Sequence, residues 1–192
     1  MWARSALALP TRSVMIGASG EVGKHLLAEL VADEARWPAS CEFHVISRRP
    51  LPHLKKLAPR VHVHVVDMSS GASLEAATAT IAIAAIAAFS CVAFSRPSTH
   101  NSAGQLRGGT IGKVAFRENE LPNGFARACL AAGVRHLGTF SGQGLNPEGS
   151  GRMLGCLPIP YGPAILKGMG ERERDLAAMG FESVGIVCVK RI

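Results

Sequence analysis

Three glycines carry the first chemistry in the chain. Gly17, Gly20 and Gly23 stand three apart in Gly17-Ala18-Ser19-Gly20-Glu21-Val22-Gly23. The short apolar run Val14-Met15-Ile16 leads in, and Val22, Leu26, Leu27 and Leu30 follow at helical spacing. Strand, glycine turn and helix together suit a phosphate. The free N–H groups and the dipole at a helix N-terminus favour negative charge, and residues without a Cβ let the ligand come close. The spacing G-x-x-G-x-x-G is not the common G-x-G-x-x-G fingerprint. The same glycines would also serve a tight turn and close helix–sheet packing without any ligand. On the first reading Gly17, Ser19, Gly20, Glu21, Val22 and Gly23 line a cofactor's diphosphate.

A second strand, Phe43-His44-Val45-Ile46, runs into Ser47-Arg48-Arg49. In a dinucleotide-binding fold an acid near this place binds a ribose 2′-hydroxyl, whereas an arginine accommodates a 2′-phosphate. No acid lies between Glu42 and Asp67. Arg48 and Arg49 therefore point to NADP, with NADPH preferred over NADH, because a guanidinium grips phosphate through two parallel bonds. The third strand, Val61 to Val66, ends at Asp67-Met68, where an adenine would lie. Asp67 could accept from the adenine amino group or cap the next helix or turn. A fourth strand, Phe89 to Phe94, would bring Phe94 and Ser95 beside the diphosphate and nicotinamide.

The elements that must position these residues alternate along the chain. A helix is predicted over Ser73 to Ala85, a loop from Ser95 to Gly112, and a helix from Val114 to Ala132 with an awkward Pro122-Asn123-Gly124 inside it. Leu137 to Phe140 reads as a fifth strand, Asn146 to Pro160 as a Gly/Pro-rich loop, and Pro163 as the first turn of a helix reaching Met179. Val184 to Val189 is a sixth strand. Strand and helix in turn predict an α/β fold: a doubly wound, mostly parallel six-stranded sheet with helices on both faces. Residues 1–12 read as a flexible N-terminus and 13–192 as one nucleotide-binding domain. Ala76 to Ser95 holds no charged residue over 20 positions. That length can span a bilayer, but the strand–helix rhythm accounts for it as a helix followed by a buried strand.

With 192 residues, 47% of them apolar and 18% charged, the chain can bury a core and is not wholly disordered. Five cysteines without a C-x-x-C pair argue against a disulfide scaffold and for a reducing compartment. The acid-free N-terminus up to Glu21 leaves a short mitochondrial presequence open beside a frayed end and a cytoplasmic location. The formal charge is +7, and Arg48, Arg49, Lys55, Lys56 and Arg60 crowd one acid-free stretch. Such a stretch can attract anions or be a solvated face. Aromatics make up only 5% of the chain. With no nucleic-acid motif present, neither a nucleic-acid partner nor membrane association is expected.

Taken together, G-A-S-G-E-V-G, then S-R-R, then V-V-D-M, resemble the atypical short-chain dehydrogenases, and within them the Tat-interacting-protein-like NAD(P)-binding subgroup. The similarity runs from about Val14 to Val189. It implies a Rossmann fold, NADPH as cofactor and hydride transfer to or from a carbonyl or alcohol of a small-molecule substrate. Some members are mitochondrial. The wider family uses a serine after the fifth strand and Tyr-x-x-x-Lys on the next helix. Ser141 matches the serine place and Lys167 the lysine. Pro163 stands where the tyrosine is expected, and Tyr161, the chain's only tyrosine, lies six residues before Lys167. Residues six apart do not share a helix face. Because Pro163 opens the helix, Tyr161 would sit just outside it, able to swing inward. The resemblance also implies further C-terminal residues, so the fold is expected to be C-terminally shortened.

Two readings follow, an NADP-dependent oxidoreductase using Ser141, Tyr161 and Lys167, and a non-catalytic NAD(P)-binding scaffold or regulator. His62 and His64 share one face of the third strand, but no cysteine or acid partner is visible nearby in sequence, and no metal site is expected. Cys156 has no histidine or aspartate constellation and reads as a plain small residue.

Overall fold

In a computed structural model, residues 11–92, 119–142 and 162–189 are described. The elements are β1 (Arg12–Ile16), α1 (Glu21–Ala32), β2 (Glu42–Ser47), a 3-10 helix (Pro52–Leu57), β3 (Val61–Val65), α2 (Gly71–Ile81), β4 (Ala87–Ser90), α3 (Leu121–Ala131), β5 (His136–Gly142), α4 (Gly162–Ala178) and β6 (Ser183–Val189). The six strands form one sheet in the order β3-β2-β1-β4-β5-β6. Every pairing is parallel. The order reverses between β1 and β4, the defining feature of a doubly wound, Rossmann-like sheet.

β1 shows why its sequence is a continuous apolar run. Val14, Met15 and Ile16 are all buried, as expected of a central strand covered on both faces. Val14 and Ile16 join Ile46, Ala88 and Leu137 against Leu74 of α2, Phe125 and Cys129 of α3, and Leu176 of α4. Met15 faces the other way, with Phe43, Val45 and Val61 against Leu27 of α1 and Leu54 of the 3-10 helix. Two separate apolar layers therefore clamp one sheet.

Several boundaries differ from the sequence expectation, each for a physical reason. β4 is Ala87–Ser90, not Phe89 to Phe94. It is held in register by β1, from Ser13 opposite Ala87 to Ile16 opposite Ser90. Gly17 then turns away with φ +81°, so the partner strand ends and the apolar run leaves the ladder after Cys91 N–H donates to Ile16 O at 3.0 Å. Phe94 and Ser95 lie outside the described residues. α2 ends at Ile81 rather than Ala85, and Ala84 adopts φ +64° in the turn that follows. The uncharged stretch is thus divided between the end of α2 and β4, and no helix among the described residues is long and apolar enough to cross a membrane. Pro122 falls in the first turn of α3, where its missing N–H costs nothing. Gly124 gives α3 its close approach to α2, with Gly71 O 3.5 Å from where a Cβ would stand.

Arg60 leaves the predicted basic face altogether. Its guanidinium donates to Val31 O at 2.7 Å, Trp37 O at 2.8 Å and Pro38 O at 3.0 Å, and lies over the Phe43 ring. It ties the end of α1 to the loop entering β2. Replacing it strands carbonyls that are served by a charged donor. Arg60→Leu should lower stability by about 2–3 kcal/mol in urea unfolding, whereas Lys55→Leu on the exposed 3-10 helix should change it by less than about 0.5 kcal/mol.

Candidate functional site

Parallel register brings the predicted cofactor residues to one edge. Ile16 lies opposite Ile46 and Ser90, and Ser47 opposite Val65. The C-terminal ends of β1, β2, β3 and β4 are therefore neighbours; Gly17, Arg48 and Cys91 follow their strands directly, and Asp67 follows β3 after Val66. This crevice beyond the strand ends, at the reversal in strand order, is where open α/β sheets bind ligands.

The three glycines separate into two roles. A Cβ on Gly17 would fall within 2.5 Å of the Cys91 carbonyl group, and its φ is positive. A Cβ on Gly23 would collide with Gly17 O. These two are demanded by packing, as the ligand-free reading supposed. Gly20 is different, since a Cβ there would meet only Gly17 O, at an ordinary 3.4 Å. Gly20 is the N-cap of α1 and carries no side-chain cap. The opening N–H groups of a helix have no partner inside it, and here nothing on the cap residue shields them.

Around this cradle, Ser19, Glu21 and Val22 are exposed. Glu21 is paired with Lys24 at 2.7 Å, and that bond holds its carboxyl below the usual range. Its charge at the helix start is thereby offset. Arg48 and Arg49 are exposed and form no ion pair among the described residues. Asp67 is engaged locally: Ser69 N–H donates to Oδ1 and the Ser69 hydroxyl to Oδ2, both at 2.9 Å. These bonds keep its carboxyl ionised. The cap of α2 is instead Ser70, which accepts from Ser73 N–H at 3.1 Å. Met68 is buried in the core beneath. The Cys91 thiol, buried against the turn, is pushed up to about 11 by desolvation.

Of the residues expected to do catalysis, Ser141 lies within β5 rather than after it, because pairing with β6 continues through Gly142 opposite Val189. Its side chain is buried, and its hydroxyl has no hydrogen-bond partner among the described residues. Lys167 is half-exposed on α4 and meets Glu171 at 3.7 Å. Tyr161 and Cys156 lie outside the described residues. One residue at this edge had no signal in the sequence: Arg172, in a run of charged residues on α4, is fully buried. It donates to Phe140 O at 2.8 Å and Val92 O at 3.4 Å, bridging the ends of β4 and β5. A groove of about 380 Å³ lies elsewhere, against the starts of β4, β5 and β6 beside Trp37, Arg135 and Ser183. It is not part of this edge.

The fold defines a class, a doubly wound, Rossmann-like α/β architecture. No protein family matches the chain, and no curated protein does. Solved structures do. MoeE5 in complex with UDP-glucose and NAD is 21% identical with a TM-score of 0.59, over 93% of this chain and 53% of that one. The Bordetella bronchiseptica enzyme WbmH in complex with NAD+ is 12% identical with a TM-score of 0.60, over 94% and 55%. A short-chain dehydrogenase/reductase from Burkholderia vietnamiensis is 14% identical with a TM-score of 0.61, over 96% and 84%. The chain thus spans about half the length of the first two. At these identities the likeness is one of fold.

The division among the glycines is testable by stability alone. Gly23→Ala should cost about 2–3 kcal/mol in urea unfolding, since backbone must move to admit the methyl. Gly20→Ala should cost at most about 1 kcal/mol, the difference between glycine and alanine at an N-cap.

Proposed function

We propose that the chain is an NADP-binding protein of the oxidoreductase type, moving a hydride between NADPH and a carbonyl or alcohol of a small molecule. The observation that carries this reading is Gly20. Of the three glycines in the turn it is the one that packing leaves unexplained, and it caps the helix whose free N–H groups point out of the crevice edge. The solved structures of MoeE5 and WbmH, similar in fold, hold NAD. The similarity to short-chain dehydrogenases in the glycine turn adds support.

The residues fit such a cofactor. Gly17 to Gly23 would accept the diphosphate on main-chain N–H groups. Arg48 and Arg49, exposed and without acidic partners among the described residues, would hold a ribose 2′-phosphate. That form needs no carboxylate at the end of β2, which agrees with the absence of an acid between Glu42 and Asp67. Asp67 would border the adenine, its geometry already fixed by Ser69. When bound, the nicotinamide would supply hydride chemistry. For the chain's own part, the Ser141 hydroxyl is a buried donor without a partner among the described residues, suited to polarising a substrate oxygen. Tyr161, which lies outside the described residues, would supply or accept the proton, and Lys167 would hold the ribose. The three free, buried cysteines Cys41, Cys91 and Cys129 suit a reducing compartment such as the cytoplasm.

One observation favours the non-catalytic alternative. The Lys167 ammonium is half-exposed and turned to Glu171, and Pro163 occupies the place four residues earlier.

Titration of NADPH and NADH by calorimetry tests the binding reading. NADPH should bind more tightly, and Arg48→Ala/Arg49→Ala should lower its affinity about 10- to 100-fold while leaving NADH unchanged. Gly20→Val should abolish binding of both with the fold retained. Equal affinity for the two coenzymes would remove the arginines' role, and binding by Gly20→Val would remove the cradle. Tyr161→Phe separates enzyme from scaffold. Loss of at least about 100-fold in NADPH oxidation with a carbonyl panel, at unchanged NADPH affinity, would mark an acid catalyst. Absence of turnover in the unaltered chain would mark a scaffold.

A further inference from the structure

The opposite edge of the sheet carries a second cluster. His62 and His64 stand alone in sequence, but parallel pairing sets His44 opposite His62 and Arg12 opposite Glu42. Alternation along the strands then places Glu42, His44, His62 and His64 on one face. His44 Nε2 lies 3.3 Å from Glu42 Oε2, and His62 Nε2 lies 3.9 Å from Glu42 Oε1. One ligand atom from each of Glu42, His44 and His62 falls within 4.8 Å of the others. Ligand atoms about 2.0–2.1 Å from a tetrahedral ion stand about 3.3–3.5 Å apart. The Glu42–His44 distance already has this value, and the His62 side chain, 43% exposed, is free to close the rest.

The third histidine, His64, has a different place. His44 Nδ1 is 2.9 Å from His64 Nε2, and the two rings stack with centroids 5.1 Å apart. That bond occupies one nitrogen of His44 and leaves Nε2, the nitrogen beside Glu42, for an ion. Partners of this kind fix the tautomer and orientation of a ligating ring. The His44 side chain is only 12% exposed, whereas Glu42 and His62 are half-open to solvent. An ion could therefore enter from one side and keep a water. Arg12 holds Glu42 Oε2 at 3.0 Å, the same oxygen that His44 approaches, while Oε1 faces His62.

We propose that Glu42, His44 and His62 bind one divalent transition-metal ion of the zinc class, with His64 as the positioning residue behind His44. Two imidazoles and a carboxylate suit zinc, nickel or copper, not magnesium or calcium. The site stands about 15 Å of strand away from the glycine turn, so it does not depend on the cofactor reading.

The test uses the full chain, stripped with a chelator and titrated with Zn2+ against a competing chelator. One ion per chain should bind, Mg2+ should not compete, and Co2+ should give the visible absorption of a four-coordinate nitrogen–oxygen site. His62→Ala and Glu42→Gln, at exposed positions, should each lower affinity at least about 10-fold, and His64→Ala about 10-fold through the His44 ring. Zn2+ should raise the melting temperature of the unaltered chain and not that of His62→Ala. Failure to bind zinc stoichiometrically at micromolar free ion would overturn the proposal. So would unchanged affinity in His62→Ala/Glu42→Gln, which would place the ion on other residues.

Discussion

The contact on which the rest of the molecule turns is between two stretches of backbone. The carbonyl of Gly17 lies where a Cβ of Gly23 would be, and the Cα of Gly17 lies against the Cys91 carbonyl. α1, β1 and the end of β4 meet there without side chains between them. A helix brought this near to a central strand points its N-terminus at the sheet edge, and the opening N–H groups go with it. The fold's tightest packing and its most promising anion site are consequently one feature. This also explains the departure from the common glycine spacing. What the geometry requires is a bare residue at each backbone collision, Gly17 and Gly23, and open space at the cap, Gly20.

Much of this was legible in the sequence because it is local. The alternation of apolar runs with helical spacing predicts six strands, and all six are present in a single parallel sheet. The glycine turn and Arg48-Arg49 occupy the places their neighbours in the chain assign to them. Boundaries were less legible where a distant strand sets them. Nothing in Phe89 to Phe94 says that the ladder ends at Ser90. That limit is imposed by Gly17, more than seventy residues earlier, turning β1 away. Ser141 is drawn into β5 in the same manner by β6.

Charged side chains were the hardest to read. Arg60 looked like part of a solvated basic stretch, yet it serves four carbonyls across a loop that sequence does not place beside it. The histidines show the same limit. A pair two residues apart is visible on a strand, but its acid and its third imidazole arrive only through the register of β2 against β3. Periodicity tells which residues share a face. It does not tell which strand lies next to them.

Arg172 shows how these long-range effects bear on the site. Removing a guanidinium from water costs several kcal/mol unless its donors are satisfied. In Glu171-Arg172-Glu173-Arg174 nothing distinguishes Arg172 from its solvated neighbours. Helical geometry turns it toward the sheet, where its two terminal nitrogens donate to the carbonyls of Phe140 and Val92. Phe140 lies in β5 just before Ser141, and Val92 lies just beyond the end of β4. A charge held there fixes the separation of β4 and β5 at the point where the backbone stops pairing, which an apolar side chain could fill but not hydrogen-bond. Lys167, one and a half turns earlier on the same helix, stays at the surface with Glu171. On α4, then, it is Arg172 that braces the crevice, and the resemblance that singled out Lys167 gave no reason to look for it.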